Sequence, residues 1–197
     1  CAGVYPGGTD SLQRLEGRVA GAGPELIAQG AVFEEGVGVT KSLIQIGDNH
    51  EFTFQTSAPS NGAQYTEGVG AGNENGIFYA VSWSELAPTP GNAEFIAEYQ
   101  AQNGEGLVPA EDAADAYAAG EVLAAAVEGI GGLDNIALAD WLHSNGVSTI
   151  LGELSWNEIG QPQGDFLLAQ WQDGTVQIVA PAEASTNGGS ILIPKPD

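Results

Sequence analysis

Residues 112–156 read DAADAYAAGEVLAAAVEGIGGLDNIALADWLHSNGVSTILGELSW, and residues 157–181 continue NEIGQPQGDFLLAQWQDGTVQIVAP. The segment Ala113 to Ile130 is apolar around almost the whole helical circumference, which predicts a helix buried on nearly every side. A second helix follows, with Trp141 and Leu142 on its apolar stripe. Next come a short strand from Ile150 to Trp156, a Gly-Gln-Pro turn, and two strands joined by Gln172-Asp173-Gly174.

Upstream, strand and helix patterns alternate. Asp10 or Ser11 can cap a helix from Leu12 to Ala20, in which Leu12, Leu15 and Val19 share a face. Glu25 to Val32 reads as a strand, Glu34 to Ile46 as a helix stopped by Gly47, and Phe52 to Thr56 as a strand. Ser60 to Val69 is a short helix, Ile77 to Trp83 a strand, and Asn92 to Asn103 a helix set off by Pro88-Thr89-Pro90-Gly91. Such alternation implies parallel strands, right-handed crossovers and helices on the sheet faces: an α/β fold with a doubly wound, largely parallel sheet and a C-terminal β-hairpin. The run Ser185 to Ser190 (STNGGS) reads as a flexible tail.

Composition limits the function. With 43% hydrophobic residues and 4 Trp in 197 residues, the chain has the material for a packed core. Against 26 acidic side chains stand 4 basic ones, a formal net charge of −22, so charge opposes binding to nucleic acid or to an anionic membrane surface. A saline, halophilic source is expected from this acidity. There is no Gly-x-Ser-x-Gly elbow, no Walker Gly-Lys-Ser/Thr, and only two histidines, His50 and His143, far apart in the chain, so no enzyme, cofactor or metal site is expected.

On an open α/β sheet, ligands sit beyond the carboxyl ends of the strands, at helix N-termini. Here those loops are Ala31-Val32-Phe33-Glu34, Thr56-Ser57-Ala58-Pro59-Ser60 and Ser82-Trp83-Ser84. They offer an aromatic ring, hydroxyls and backbone N–H groups, which suit a small polar solute. The candidate ligand residues are Val32, Phe33, Glu34, Thr56, Ser57, Ser60 and Trp83. Each has a plainer reading. Glu34 at a helix start is favourable against the macrodipole without any ligand, and Phe33 and Trp83 can serve as packing.

The order of these segments resembles type I periplasmic binding proteins, the solute receptors of branched-chain amino acid ABC importers. Tyr5-Pro6-Gly7-Gly8-Thr9-Asp10, Pro24-Glu25-Leu26-Ile27, Phe33-Glu34-Glu35-Gly36-Val37 and Asn75-Gly76-Ile77-Phe78 carry the likeness upstream, and residues 112–181 carry it downstream. The resemblance implies two lobes. Residues 1–83 and 166–197 would form a lobe-two-like α/β domain, and residues 84–165 a partial lobe-one-like helical segment that lacks most of the N-terminal lobe. It also implies an extracytoplasmic protein that binds an amino acid or a related amide or carboxylate in an interlobe cleft and works with an ABC permease. The first two candidate loops supply lobe-two contacts in this family, and the helix bearing Tyr117 lines the cleft, so Tyr117 joins the candidates. Val32 stands where relatives often carry a polar or aromatic contact, and the Ser57 to Ser60 loop lacks the acid that pairs with a ligand ammonium.

Cys1-Ala-Gly, in a chain without Met, suggests a lipid-modified cysteine exposed by signal peptidase; the alternative is an unmodified residue at a fragment end. The competing functional class is a truncated binding-protein-like fold reused as a cell-surface or extracellular assembly protein, with a homo-oligomer covering the incomplete lobe.

Charge alone yields one prediction. Like charges repel over a Debye length of about 10 Å at 0.1 M salt and about 3 Å at 1 M, so salt relieves the strain of a net charge of −22. The thermal midpoint is expected to rise in both NaCl and KCl from about 0.05 M to about 2 M, because screening is not ion-specific. Circular dichroism melts check this; a flat or falling midpoint means that the acidic surface does not destabilise the fold.

Overall fold

The computed structural model describes Val4, residues 13–48 and residues 50–196, with side chains from Glu16 onward in the first helix. Cys1, the Tyr5–Asp10 segment, the cap at Asp10 or Ser11, and Leu12 lie outside the described residues, as does the side chain of Leu15. Contacts divide the chain into two compact units, residues 1–81 with 167–197, and residues 82–166, against expected divisions at 83/84 and 165/166.

Unit 1 holds helices α1 (Gln13–Gly21), α2 (Phe33–Gln45) and α3 (Ala63–Val69), strands β1 (Leu26–Gln29), β2 (Phe52–Gln55) and β3 (Ile77–Val81), and the hairpin β7 (Leu167–Gln172) and β8 (Thr175–Ala180). The sheet order is β1-β2-β3-β7-β8. The β1/β2 and β2/β3 pairs are parallel, as the alternation of strand and helix requires; the hairpin adds antiparallel pairs on β3. Three apolar clusters hold the unit. Tyr79, Val81, Trp171 and Ile178 pack where β3 meets the hairpin; Ile27, Val39 and Leu43 join β1 to α2; and Ala58, Tyr65, Val69 and Ile77 seat α3.

A polar hub lies within this packing. Gln55, 1% exposed, donates from Nε2 to Gln29 Oε1 (2.9 Å), Thr40 Oγ1 (2.9 Å) and Gly36 O (3.2 Å), and its Oε1 accepts from Tyr65 Oη (2.8 Å). Burial pushes the Tyr65 phenol up, partly offset by Thr40 and reinforced by Glu74, so it stays a neutral donor. The hub ties β1, β2, α2 and α3 together at the carboxyl end of β2.

Unit 2 holds α4 (Asn92–Asn103), α5 (Glu111–Ile130), α6 (Asn135–Ser144) and a small antiparallel sheet of β4 (Val147–Thr149), β5 (Gly152–Trp156) and β6 (Pro162–Gln163). Its core is Trp83, Phe95, Ala114, Ala118 and Ile150. The Trp83 indole donates to Asn92 Oδ1 (2.7 Å), and Asn92 donates onward to Ala87 O (2.9 Å), which fixes the turn before α4.

Three expectations are corrected here. α5 is not buried all round: it buries Ala114, Ala118 and Ala126, while Tyr117 is 47% and Leu123 56% exposed. Alanine is the reason. As the best helix former it is small enough for either environment, so an Ala-rich helix looks apolar on every face without being covered there. The expected strand 150–156 starts only at Gly152, as β5, and a separate strand β4 ends at Thr149; between them the Ile150 N–H donates to Glu121 Oε2 (2.9 Å) and its carbonyl accepts from Thr89 Oγ1 (2.6 Å), leaving neither for a ladder. The STNGGS run is pinned, not loose: Thr186 N donates to Ile178 O (3.0 Å), Ile178 N to Thr186 Oγ1 (2.9 Å), and Asn187 Nδ2 to Gln172 Oε1 (2.9 Å). No single helix among the described residues is long and apolar enough to cross a membrane.

The α5 N-terminus is anchored at Ser82. Ser82 N and Oγ lie 2.6 and 2.9 Å from Glu111 Oε1, and Ser82 Oγ is 2.7 Å from Asp115 Oδ1. One hydroxyl proton faces two carboxylates. Burial raises the Glu111 carboxyl; the Ser82 bonds oppose that, and Asp115 and Asp112 add to it.

Two predictions follow from these contacts. A Cβ on Gly36 would sit 2.2 Å from Ala58 Cβ, whereas one on Gly17 in α1 meets nothing within 4 Å. Gly36→Ala should therefore cost about 1–3 kcal/mol by overpacking, and Gly17→Ala should be neutral or stabilising by up to about 1 kcal/mol; denaturant melts of both variants decide it. For Glu111 the raised folded pKa means that burial of its charge is penalised above that pKa, and the penalty disappears as pH falls past the ordinary value of 4.5. Glu111→Gln should raise the melting temperature at pH 7 by an amount that shrinks to nothing on acidification. A Glu111→Gln protein that melts lower at pH 7 would show that charge-assisted bonds to Ser82 outweigh burial.

Candidate functional site

The carboxyl ends of β1 and β2 are laced together by hydroxyls. Ala31 N donates to Thr56 Oγ1 (3.0 Å), Thr56 Oγ1 returns its proton to Ala31 O (2.9 Å), and Ser57 Oγ donates to the same carbonyl (3.0 Å). A backbone bond from Thr56 N to Gln29 O (3.1 Å) extends the parallel ladder to this point. Ser60 Oγ donates to Ser57 O (2.8 Å), and Asn61 Nδ2 to Ser57 O (3.2 Å) and Ala58 O (3.1 Å), closing a tight turn over Ala58–Asn61.

Chemical capacity follows from this inventory. Each hydroxyl carries one proton and two lone pairs. Thr56, Ser57 and Ser60 all spend their protons on backbone carbonyls, so what they have left for a ligand is acceptor capacity, and Thr56 and Ser57 are exposed. Beside them the first turn of α2 has no side-chain cap at Val32, so its N–H groups and the helix dipole favour negative charge there. The loop pair thus presents acceptors at Thr56 and Ser57 and donors at the α2 N-terminus, a match for a molecule with both donor and acceptor groups.

Of the other candidates in unit 1, Val32 is 64% exposed, Glu34 is exposed, and Phe33 is partly buried against the Ala58–Tyr65–Val69–Ile77 cluster. The structure therefore brings Val32, Phe33, Glu34, Thr56, Ser57 and Ser60 to one end of one sheet. Trp83 and Tyr117 belong to unit 2. There Trp83 is 7% exposed with its N–H satisfied by Asn92, and Tyr117 stacks at a tilt on Phe95, ring centroids 4.8 Å apart. Unit 2 also has a cavity of about 470 Å³ lined by Ser82, Asp115, Val122, Leu151, Trp156 and Phe166 among others. No group of His, Cys, Asp and Glu among the described residues is placed to hold a metal ion.

Sequence reasoning missed two parts of this arrangement. Gln55, which braces the loops from below, is indistinguishable in sequence from any strand glutamine. The Glu111-Asp112-x-x-Asp115 run reads as a helix-start charge cluster, and only the structure shows Ser82 between two of its acids.

Comparison with known proteins comes to the same fold. The chain is 22% identical over 174 residues to an amino acid binding protein of Pseudomonas aeruginosa, covering 84% of this chain and 43% of that one. It matches the structure of a leucine binding protein from Thermotoga maritima with TM-score 0.77 at 18% identity, covering 89% of this chain and 49% of that one. It also matches a branched-chain amino acid transporter substrate binding protein from Streptococcus pneumoniae, solved with isoleucine, with TM-score 0.68 at 15% identity, covering 87% and 48%. The chain thus spans about half the length of these relatives. The periplasmic binding protein family profile matches residues 2–175, and the chain belongs to that family.

Proposed function

We propose that this chain is part of an extracytoplasmic solute receptor of an ABC importer, and that it holds a small amino-acid-like solute at the loops following β1 and β2. The observation that carries the reading is the hydroxyl lacing of Ala31 to Thr56 and Ser57, which leaves acceptors for an ammonium or amide beside the uncapped α2 N-terminus. A carboxylate suits the helix start. Phe33 supplies the apolar contact, and Val32, Glu34 and Ser60 frame the loops. The relatives named for amino acids support the solute class.

The hydroxyl acceptors also answer for the missing acid. In a loop without a carboxylate, several neutral acceptors around one ammonium provide a weaker version of the same recognition, and such a site tolerates amides as well. An ABC permease is the partner of such a receptor, a lipid on Cys1 its tether, and a saline habitat the setting its charge fits.

Calorimetry against a panel of amino acids and their amides, with wild type and Phe33→Ala, tests the reading. Binding by an aliphatic amino acid or its amide is expected, weakened about tenfold in Phe33→Ala, the equivalent of about 1.4 kcal/mol. If nothing in the panel binds, or if a bound solute is located by NMR away from residues 31–34 and 56–60, this site assignment is wrong.

A further inference from the structure

The cavity of unit 2 takes no part in the loops after β1 and β2. Its volume of about 470 Å³ falls within the range of about 300–1,000 Å³ that small-molecule sites occupy, and two regular faces build it. On α5, Asp115, Ala118, Ala119 and Val122 follow at helical spacing and form one stripe. On β5, Leu154 and Trp156, two residues apart, share one side of the strand. Leu151 and Phe166 extend the apolar wall.

These walls are set by the protein's own contacts. Trp156 pairs with Pro162 across β5 and β6, and the turn between those strands is tied by Asn157 N to Gln161 O (3.0 Å) and Gln161 N to Asn157 Oδ1 (2.9 Å). After β6 the chain lies so close on β5 that a Cβ on Gly164 would stand 2.8 Å from Leu154 Cδ2. That approach brings the next two residues, Asp165 and Phe166, to the cavity. The α5 stripe is fixed at its start by the Ser82 bonds.

Charge selects the occupant. The ionisable side chains of the lining are Asp115 and Asp165. Ser82 Oγ has one proton for Glu111 Oε1 (2.9 Å) and Asp115 Oδ1 (2.7 Å), so Asp115 keeps most of its lone pairs unspent and Ser82 has no proton left for an anion. The 4 basic side chains, Arg14, Arg18, Lys41 and Lys195, all lie outside residues 82–166, so unit 2 supplies no lysine or arginine to neutralise the two carboxylates. An ammonium supplies both the charge and the N–H groups that are missing, in charge-assisted bonds. Trp156 adds a ring that attracts cations.

We propose that this cavity is a solute site of unit 2 for a small organic monoamine with an apolar body. Its ammonium bonds to Asp115 within the field of Asp165, and the body packs on Val122, Leu151, Leu154 and Trp156.

Phenethylamine is the probe, with 3-phenylpropionate and 2-phenylethanol, an anion and a neutral molecule of similar shape, as controls. Calorimetric titration of the full chain at about 0.15 M NaCl, where exposed charges are screened beyond about 8 Å, should show the amine binding at least tenfold more tightly than either control. Asp115→Asn should weaken it at least tenfold. Ala119→Lys, which sets a cation on the stripe, should abolish binding, whereas Ala124→Lys, the same charge change at an exposed position of α5 outside the lining, should retain it, as should Phe33→Ala. Unaltered melting of Asp115→Asn shows that its loss is not unfolding; should it melt lower, Ala119→Lys decides, because Ala119 is exposed and lysine is a good helix former. Absence of phenethylamine binding, or equal binding of either control, overturns the proposal. So do equal losses in Ala119→Lys and Ala124→Lys, which make the acidic surface as a whole the attractant, and loss in Phe33→Ala, which places the amine at the loops of unit 1.

Discussion

The geometry of unit 1 depends on one buried amide. Gln55 is the last residue of β2, and its side chain reaches β1 through Gln29, α2 through Gly36 and Thr40, and α3 through Tyr65. A buried polar network is stabilising only when its members are satisfied, and then it rigidifies what it joins. Because the next residues are Thr56 and Ser57, the hub sets the height and angle at which those hydroxyls meet Ala31. Gly36 is part of the same constraint: with no side chain, α2 lies against Ala58 closely enough for its carbonyl to reach the Gln55 amide. The loop's position is therefore inherited from the core beneath it.

The hairpin applies a comparable constraint at the other edge. Gln170 and Trp171 are buried on β7, and their side chains fasten segments distant in sequence: Gln170 holds Gly76 O (3.1 Å) and the C-terminal segment, and the Trp171 indole donates to Pro59 O (3.2 Å). The Trp171 bond reaches back to the turn that carries Ser60. Both ends of the Thr56–Asn61 segment are thus held from below, one by Gln55 and the other by Trp171, while its hydroxyls stay on the surface.

What could be read in the sequence was whatever depends on local pattern. The strand–helix alternation, α2 to within one residue of its expected span Glu34 to Ile46, and the Asp173-Gly174 turn of the hairpin all rest on neighbours within one or two turns of chain. The loops after β1 and β2 follow from topology once strands are parallel. Long-range polar pairing could not be read. Gln55 finds Gln29 26 residues away and Gln170 finds Gly76 94 residues away, so neither glutamine differs in sequence from a solvent-facing one. Ile150 ends a strand because Glu121 and Thr89 claim its backbone, and the STNGGS run is ordered because Ile178 and Gln172 take its polar groups. Alanine misled for another reason: its hydrophobicity does not report burial, so α5 was legible as a helix but not in its exposure.

A single shortage runs through the polar groups of this acidic chain, which is a shortage of protons to donate. Gln55 Nε2 has two N–H bonds for three acceptors; Ser82 Oγ has one proton for two carboxylates; and Thr56, Ser57 and Ser60 have given theirs to carbonyls. With 4 basic residues against 26 acidic, side-chain cations do little to fill the deficit. Sites in such a molecule gain most from ligands that bring N–H groups, since those convert unused lone pairs into bonds without displacing an existing partner. At the loops after β1 and β2, where we propose that the solute binds, that argument favours donor-rich molecules.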